Sequence, residues 1–157
     1  MSKTLKIFLI VILAMIVLGI IFLTSLAKEG VINVYNLFLK DVSTNGLTRN
    51  YDLEGEREYG IDEYVGTYKA NYNNRTKEET IFGGTVLDRE NGNTITLKIK
   101  VEKQSGNIEI ISNAGTEREM LINDTGEMEK TVDVKEKSYY LKVKVTDFTG
   151  NIEIVAE

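Results

Sequence analysis

The chain contains no cysteine, no histidine, no proline and no tryptophan. Without cysteine there are no disulfides, no thiolate metal ligands, no cysteine nucleophile and no lipid-modified N-terminal cysteine. Without histidine the commonest general base and the commonest metal ligand are both missing. The Ser-His and Cys-His triads are excluded with them. Without tryptophan the strongest stacking platform for sugars and cations is gone. Neither a G-x-x-x-x-G-K-[ST] loop nor a G-x-G-x-x-G turn occurs, so no nucleotide-binding signature is present. Carboxylates are plentiful enough that a pair at glycosidase spacing could arise by accident, which leaves an envelope hydrolase as a residual reading only.

What is present is charge of both signs and one long apolar run. The 157 residues include 19 Lys and Arg against 24 Asp and Glu, a net of −5. Three of the bases (Lys3, Lys6, Lys28) and one acid (Glu29) precede Gly30, so the remainder carries 16 bases and 23 acids, a net of −7. A domain this acidic is repelled by phosphate backbones and anionic lipid, and no nucleic-acid partner is expected.

Ile7 to Ala27 reads IFLIVILAMIVLGIIFLTSLA, 21 residues without a charge. At a rise of about 1.5 Å per residue it spans a hydrocarbon core roughly 30 Å thick. Lys3 and Lys6 precede it, which places the N-terminus in the cytoplasm and everything after the segment outside. Ser25-Leu26-Ala27 also has the small-x-small pattern that precedes signal-peptide cleavage. A retained single-pass anchor and a secreted product cut after Ala27 both put the rest of the chain on the extracytoplasmic side. The segments are then a cytoplasmic stub (1–6), a transmembrane helix or signal segment (7–27), a juxtamembrane connector with a first strand or short helix (28–62) and a β-domain (63–157).

The connector is rich in acids. Asp52, Glu54, Glu56 and Asp62 are candidate oxygen ligands for Ca²⁺, the one cofactor the sequence suggests, because calcium takes six to eight oxygens and sheet edges supply them. No D-x-D-x-D-G loop accompanies them. Tyr59, Tyr64, Tyr68 and Tyr72 recur at spacings of five, four and four. On a strand from Tyr64 to Tyr72 the last three share one face, forming core if buried and a stacking stripe for a glycan or peptide if exposed. Tyr139-Tyr140 places one ring on each face of a later strand.

From Tyr64 onward the hydrophobic pattern has period two. Turn signals stand at Asn73-Asn74-Arg75 and Asn91-Gly92-Asn93, with a bulge predicted at Gly83-Gly84. Leu97–Ile111 (LKIKVEKQSGNIEII) aligns without gaps with Leu141–Val155 (LKVKVTDFTGNIEIV) at an offset of 44, with nine of fifteen positions identical. Each copy puts Leu97, Ile99, Val101, Ile108 and Ile110, or their equivalents, on one face and Lys98, Lys100 and Glu109 on the other. Ser105-Gly106-Asn107 and Thr149-Gly150-Asn151 are read as hairpin turns within the copies. Eight or so short strands predict an antiparallel β-sandwich, jelly-roll-like.

The stretch Tyr139–Val155, YYLKVKVTDFTGNIEIV, resembles the last hairpin of bacterial extracellular jelly-roll modules, the pre-peptidase C-terminal type and several carbohydrate-binding modules. The layout of the whole chain is similar to that of small uncharacterised single-pass proteins of low-GC Gram-positive bacteria. The resemblance implies a non-catalytic binding or accessory module at the cell envelope, contacting a partner protein or a cell-wall glycan. A structural subunit of a membrane complex is the alternative.

Overall fold

The computed structural model describes residues 15–21, 24, 30–31, 46–85 and 88–157. The chain divides into two compact units, Met1–Leu37 and Phe38–Glu157. In the first, Met15–Ile21 and Thr24 are helical, and Met15, Ile16, Val17, Leu18, Ile20 and Ile21 all expose their side chains. Thr24 Oγ1 donates back to the carbonyls of Ile20 and Ile21. Most of the predicted membrane segment lies outside the described residues. Among the described residues no helix is long and apolar enough to cross a membrane.

The second unit is all-β and antiparallel. Its strands are β1 (Glu56–Tyr59), β2 (Gly66–Gly84), β3 (Thr94–Ala114), β4 (Glu117–Ile122), β5 (Gly126–Asp133) and β6 (Tyr139–Ala156). They form one six-stranded sheet in the order β1-β2-β6-β3-β4, with β5 also on β3. β2, β3 and β6 are far longer than ordinary strands, and each is bent near its middle. The bends coincide across the sheet, at the register breaks between Tyr72 and Lys77 and between Lys103 and Asn107. They divide the sheet into a larger half (β1, 66–72, 150–156, 94–103 and β5) and a smaller half (77–84, 139–145, 107–114 and β4). The halves share one core, an arrangement consistent with a β-sandwich.

Three stretches read from sequence as chain reversals therefore do not reverse the chain. Asn74 (φ 50°) and Gly106 (φ 78°) mark bends within β2 and β3, and Asp147 (φ 47°) marks the bend of β6. A hairpin at Ser105–Asn107 would pair Val101 with residues near Ile110. Instead Val101 faces Ile152 and Ile110 faces Val143, all across the β3–β6 ladder. Asn91-Gly92-Asn93 lies in the connection between β2 and β3, which do not pair; each pairs with β6. The bulge predicted at Gly83-Gly84 falls just before it, between Thr80 and Phe82.

Side chains stitch the bends where the ladder breaks. Thr149 Oγ1 accepts from Asn74 N at 3.0 Å, and Thr76 Oγ1 accepts from Asp147 N at 2.9 Å. On the other side Thr125 Oγ1 accepts from Lys103 N at 2.9 Å. These hydroxyls give the amides a partner within the chain where the ladder breaks. Phe148 fills the interior beside the bend, edge-on to Tyr72 with ring centroids 5.6 Å apart.

The two copies of the repeat are β3 and β6, adjacent at the centre of the sheet. Ile99 faces Ile154 and Val101 faces Ile152; shifted by 44 residues, those pairs become Val143 with Ile110 and Val145 with Ile108, which also face one another. The copies are thus related by a local two-fold through the bend. The inward face predicted for each holds: Leu97, Ile99, Val101, Ile108, Ile110, Leu141, Val143, Val145, Ile152 and Ile154 are all buried.

Candidate binding surface

Tyr64, Tyr68 and Tyr72 lie on the inward face and are 2%, 0% and 0% exposed. Tyr68 and Tyr72 are on β2 and Tyr64 in the turn before it, and all three rings are packed in the core and not presented to a ligand outside. Tyr59, on β1, keeps an exposed edge, packs edge-on against Phe82 and carries the Arg57 guanidinium over its ring. Tyr139 is buried and Tyr140 half-buried, on opposite faces of β6.

The four candidate calcium ligands are not brought together. Glu54 pairs with Arg75 and Lys77, Asp62 pairs with Arg89, and Glu56 stands opposite Lys69 in the β1–β2 register. Asp52 contributes its backbone carbonyl to Lys77. Each carboxylate with a basic neighbour is compensated by it, and no group of three or more acids among the described residues converges on a cation position.

The interior holds a polar cluster that the sequence did not announce. Glu79 is fully buried. Its Oε2 accepts from the hydroxyls of Tyr68 and Tyr72, which also touch each other at 2.9 Å. Its Oε1 accepts from Glu54 N at 2.6 Å and lies 3.0 Å from Lys77 Nζ. Burial pushes the Tyr68 hydroxyl far above the ordinary phenol value. Burial, with the charges of the neighbouring groups, does the same for Tyr72. Both therefore remain donors, and the enclosed cluster has no surface from which to take a substrate. Alternation alone would set Glu78 and Glu79 on opposite faces without saying which turns inward. The bend after Tyr72 sends Glu79 inward to the two hydroxyls.

The outer faces of both halves carry ion pairs: on the smaller half Lys142 pairs with Glu78, and Glu109 with Lys144 and Arg118, while the larger half combines its charges with amides. A cross-strand row runs Glu56, Lys69, Glu153, Lys100, Glu127, one residue per strand and alternating in sign. Lys69 Nζ is 2.7 Å from Glu153, and Lys100 Nζ is 3.1 Å from Glu102 and 3.5 Å from Glu127. The hydrogen bond to Glu102 raises the pKa of Lys100, and that to Lys100 lowers the pKa of Glu102. The next row holds amides: Asn71 Nδ2 donates to Asn151 Oδ1 at 2.7 Å, and Asn151 Nδ2 reaches Glu102 at 3.4 Å. Between the rows lies a shallow groove of about 400 Å³, lined by Lys69, Asn71, Lys100, Glu102, Asn151 and Glu153. It offers ammonium, carboxylate and amide groups in register. No aromatic ring lines it.

No protein-family model matches the chain, and a search of curated proteins found no match. Solved structures do align with it. One is a protein of the Bacillus endospore appendages, described as a family of disulfide-linked pili, at 13% identity over 66% of this chain and 90% of that one, TM-score 0.35. Another is a family 29 carbohydrate-binding module, at 12% identity over 66% and 70%, TM-score 0.35. A third is a carbohydrate-binding module of Cellvibrio mixtus lichenase 5A in complex with cellotriose, at 10% identity over 73% and 93%, TM-score 0.34. Likeness at this level carries no residue of those proteins over to this chain.

Proposed function

We propose that this chain is a non-catalytic binding module of jelly-roll type, tethered to the extracytoplasmic side of a cell membrane by its apolar N-terminal segment. It presents the outer face of the larger half to a cell-wall polymer or an envelope protein. The observation that carries this reading is the ordered polar groove on that face. Amide, carboxylate and ammonium groups stand there at strand spacing on a rigid support, which suits repeated hydrogen bonding to an extended, hydrated partner. Among the described residues, the buried Glu79 is held by the Tyr68 and Tyr72 hydroxyls and Lys77, which gives it a structural place in the interior. The exposed apolar helical run Met15–Ile21 supports the tether.

Two measurements test this. Protease treatment of intact cells should digest the β-domain and spare an N-terminal tag; the reverse pattern refutes the topology. In co-sedimentation with an insoluble cell-wall preparation, the wild-type full chain in detergent should be retained, and both Asn151→Ala and Glu153→Lys should weaken retention by about tenfold, which corresponds to about 1.4 kcal/mol. Retention that neither substitution changes would move the site off this face.

A further inference from the structure

The bulge in β2 creates a problem that one side chain solves. A bulge places one extra residue in a strand and leaves it unmatched by its partner. The register of β2 on β6 slips between Thr80 and Phe82, and the carbonyls of Thr80 and Ile81 both turn to the side away from β6. Among the described residues no strand lies there, because β1 pairs only with the first part of β2. Arg57 reaches from β1 to this place. Its Nη1 donates to Ile81 O at 2.8 Å and Thr80 O at 3.3 Å. Its Nη2 donates to Thr48 O at 2.7 Å and Asn50 Oδ1 at 2.6 Å. One planar, half-buried guanidinium thus ties the bulge to residues 48–50, using the forked geometry that a lysine lacks.

The rest of this edge is closed in the same piecemeal way. Thr48 N donates to Thr80 O at 3.1 Å, and Thr80 N donates to Thr48 Oγ1 at 2.8 Å. Gly83 N donates to Glu63 O at 2.9 Å. Residues 48–54 lie along the edge as a strap bound largely through side chains, where an ordinary strand neighbour would supply a backbone ladder. An open row of backbone groups is a template for pairing with another chain.

We propose that Arg57 is a latch: it closes the bulged edge of β2 with the chain's own entry segment, and an unlatched edge pairs with the same edge of a second copy. Deuterium exchange on the full chain in detergent, compared with Arg57→Ala and Arg57→Lys, tests it. In both variants the amides of 78–84 should exchange at least about tenfold faster, while those of 98–101 and 143–145 at the sheet centre keep their protection. Sedimentation should show more self-association than in the wild type. Thr48→Val, which removes one hydroxyl acceptor and leaves Arg57 in place, should loosen 78–84 by less. Unchanged exchange at 78–84, restoration by Arg57→Lys, or loss of protection at the sheet centre as well would overturn the latch. Faster local exchange without added association would overturn the second-copy pairing.

Discussion

Raising the pH should unfold the β-domain through its buried phenols. Tyr68, Tyr72 and Tyr139 are fully buried, and burial is the leading cause that lifts each of their pKa values above the ordinary 10.0. A raised folded-state value means that the stability it supplies is intact below pH 10 and is lost as the pH climbs, because the unfolded chain ionises and the folded one does not. Each such group removes about 1.4 kcal/mol per pH unit above that point. Three together remove about 4 kcal/mol per unit, so about 8 kcal/mol is gone near pH 12. Single domains hold roughly 5–15 kcal/mol, so a domain with about 5–10 kcal/mol unfolds cooperatively at about pH 11–12.5. The assay is phenolate absorbance and far-UV circular dichroism recorded together on the full chain in detergent. The buried phenols should ionise only as ellipticity collapses. If all eight tyrosines titrate near the ordinary midpoint with the β-signal unchanged, the burial assignment is wrong.

Tyr139→Phe should stabilise the domain by about 1 kcal/mol near neutral pH, since Tyr139 Oη is buried with no hydrogen-bond partner of good geometry and the Ser112 hydroxyl offsets burial only in part; it should also flatten the alkaline slope by about a third, read from urea midpoints at two pH values. Glu79→Ala should cost about 3–5 kcal/mol, because two tyrosine hydroxyls, Glu54 N and Lys77 all lose their acceptor. Its neighbour Glu78→Ala should cost at most about 1 kcal/mol in the same denaturation assay, its partner Lys142 being at the surface. Gly106→Ala should cost about 2–3 kcal/mol in thermal denaturation: the residue sits at φ 78°, and an added Cβ would lie 2.1 Å from Asp147 O.

The sequence showed which residues face inward far better than where the chain goes. Period-two alternation reports the face of a residue on a strand, and it reports that face equally well whether the strand ends in a hairpin or bends across a core. Ile108 and Ile110 were therefore placed correctly on the apolar side, although the chain reaches them by a bend at Gly106. Glycine and asparagine at positive φ serve both geometries, so Asn73-Asn74-Arg75 and Ser105-Gly106-Asn107 read as turns. What decides between them is pairing with β6, a contact far away in sequence. The Glu79 cluster and the Arg57 latch were illegible for the same reason: their partners come from other segments. The outer-face rows were half visible, since the lysines and glutamates of the repeat pointed outward by alternation, but the amide pair Asn71–Asn151 joins residues 80 apart.

The repeat acquires a physical meaning from the pairing of its two copies. Each copy is the environment of the other, so a residue and its equivalent 44 positions on meet equivalent neighbours. Val101 and Val145 are the sharpest case. They are the same residue type, 1% and 2% exposed, and they face Ile152 and Ile108, which are themselves equivalent. Val101 sits in the larger half and Val145 in the smaller, flanked by different outer strands. If the central ladder dominates the packing, Val101→Ala and Val145→Ala should each cost about 2 kcal/mol, from the lost methyl groups and the small cavity left behind, and the two costs should agree within about 0.5 kcal/mol. Chemical denaturation of the two single variants measures both. A gap wider than about 1 kcal/mol would mean that the outer strands, which the symmetry does not relate, set the strength of each half.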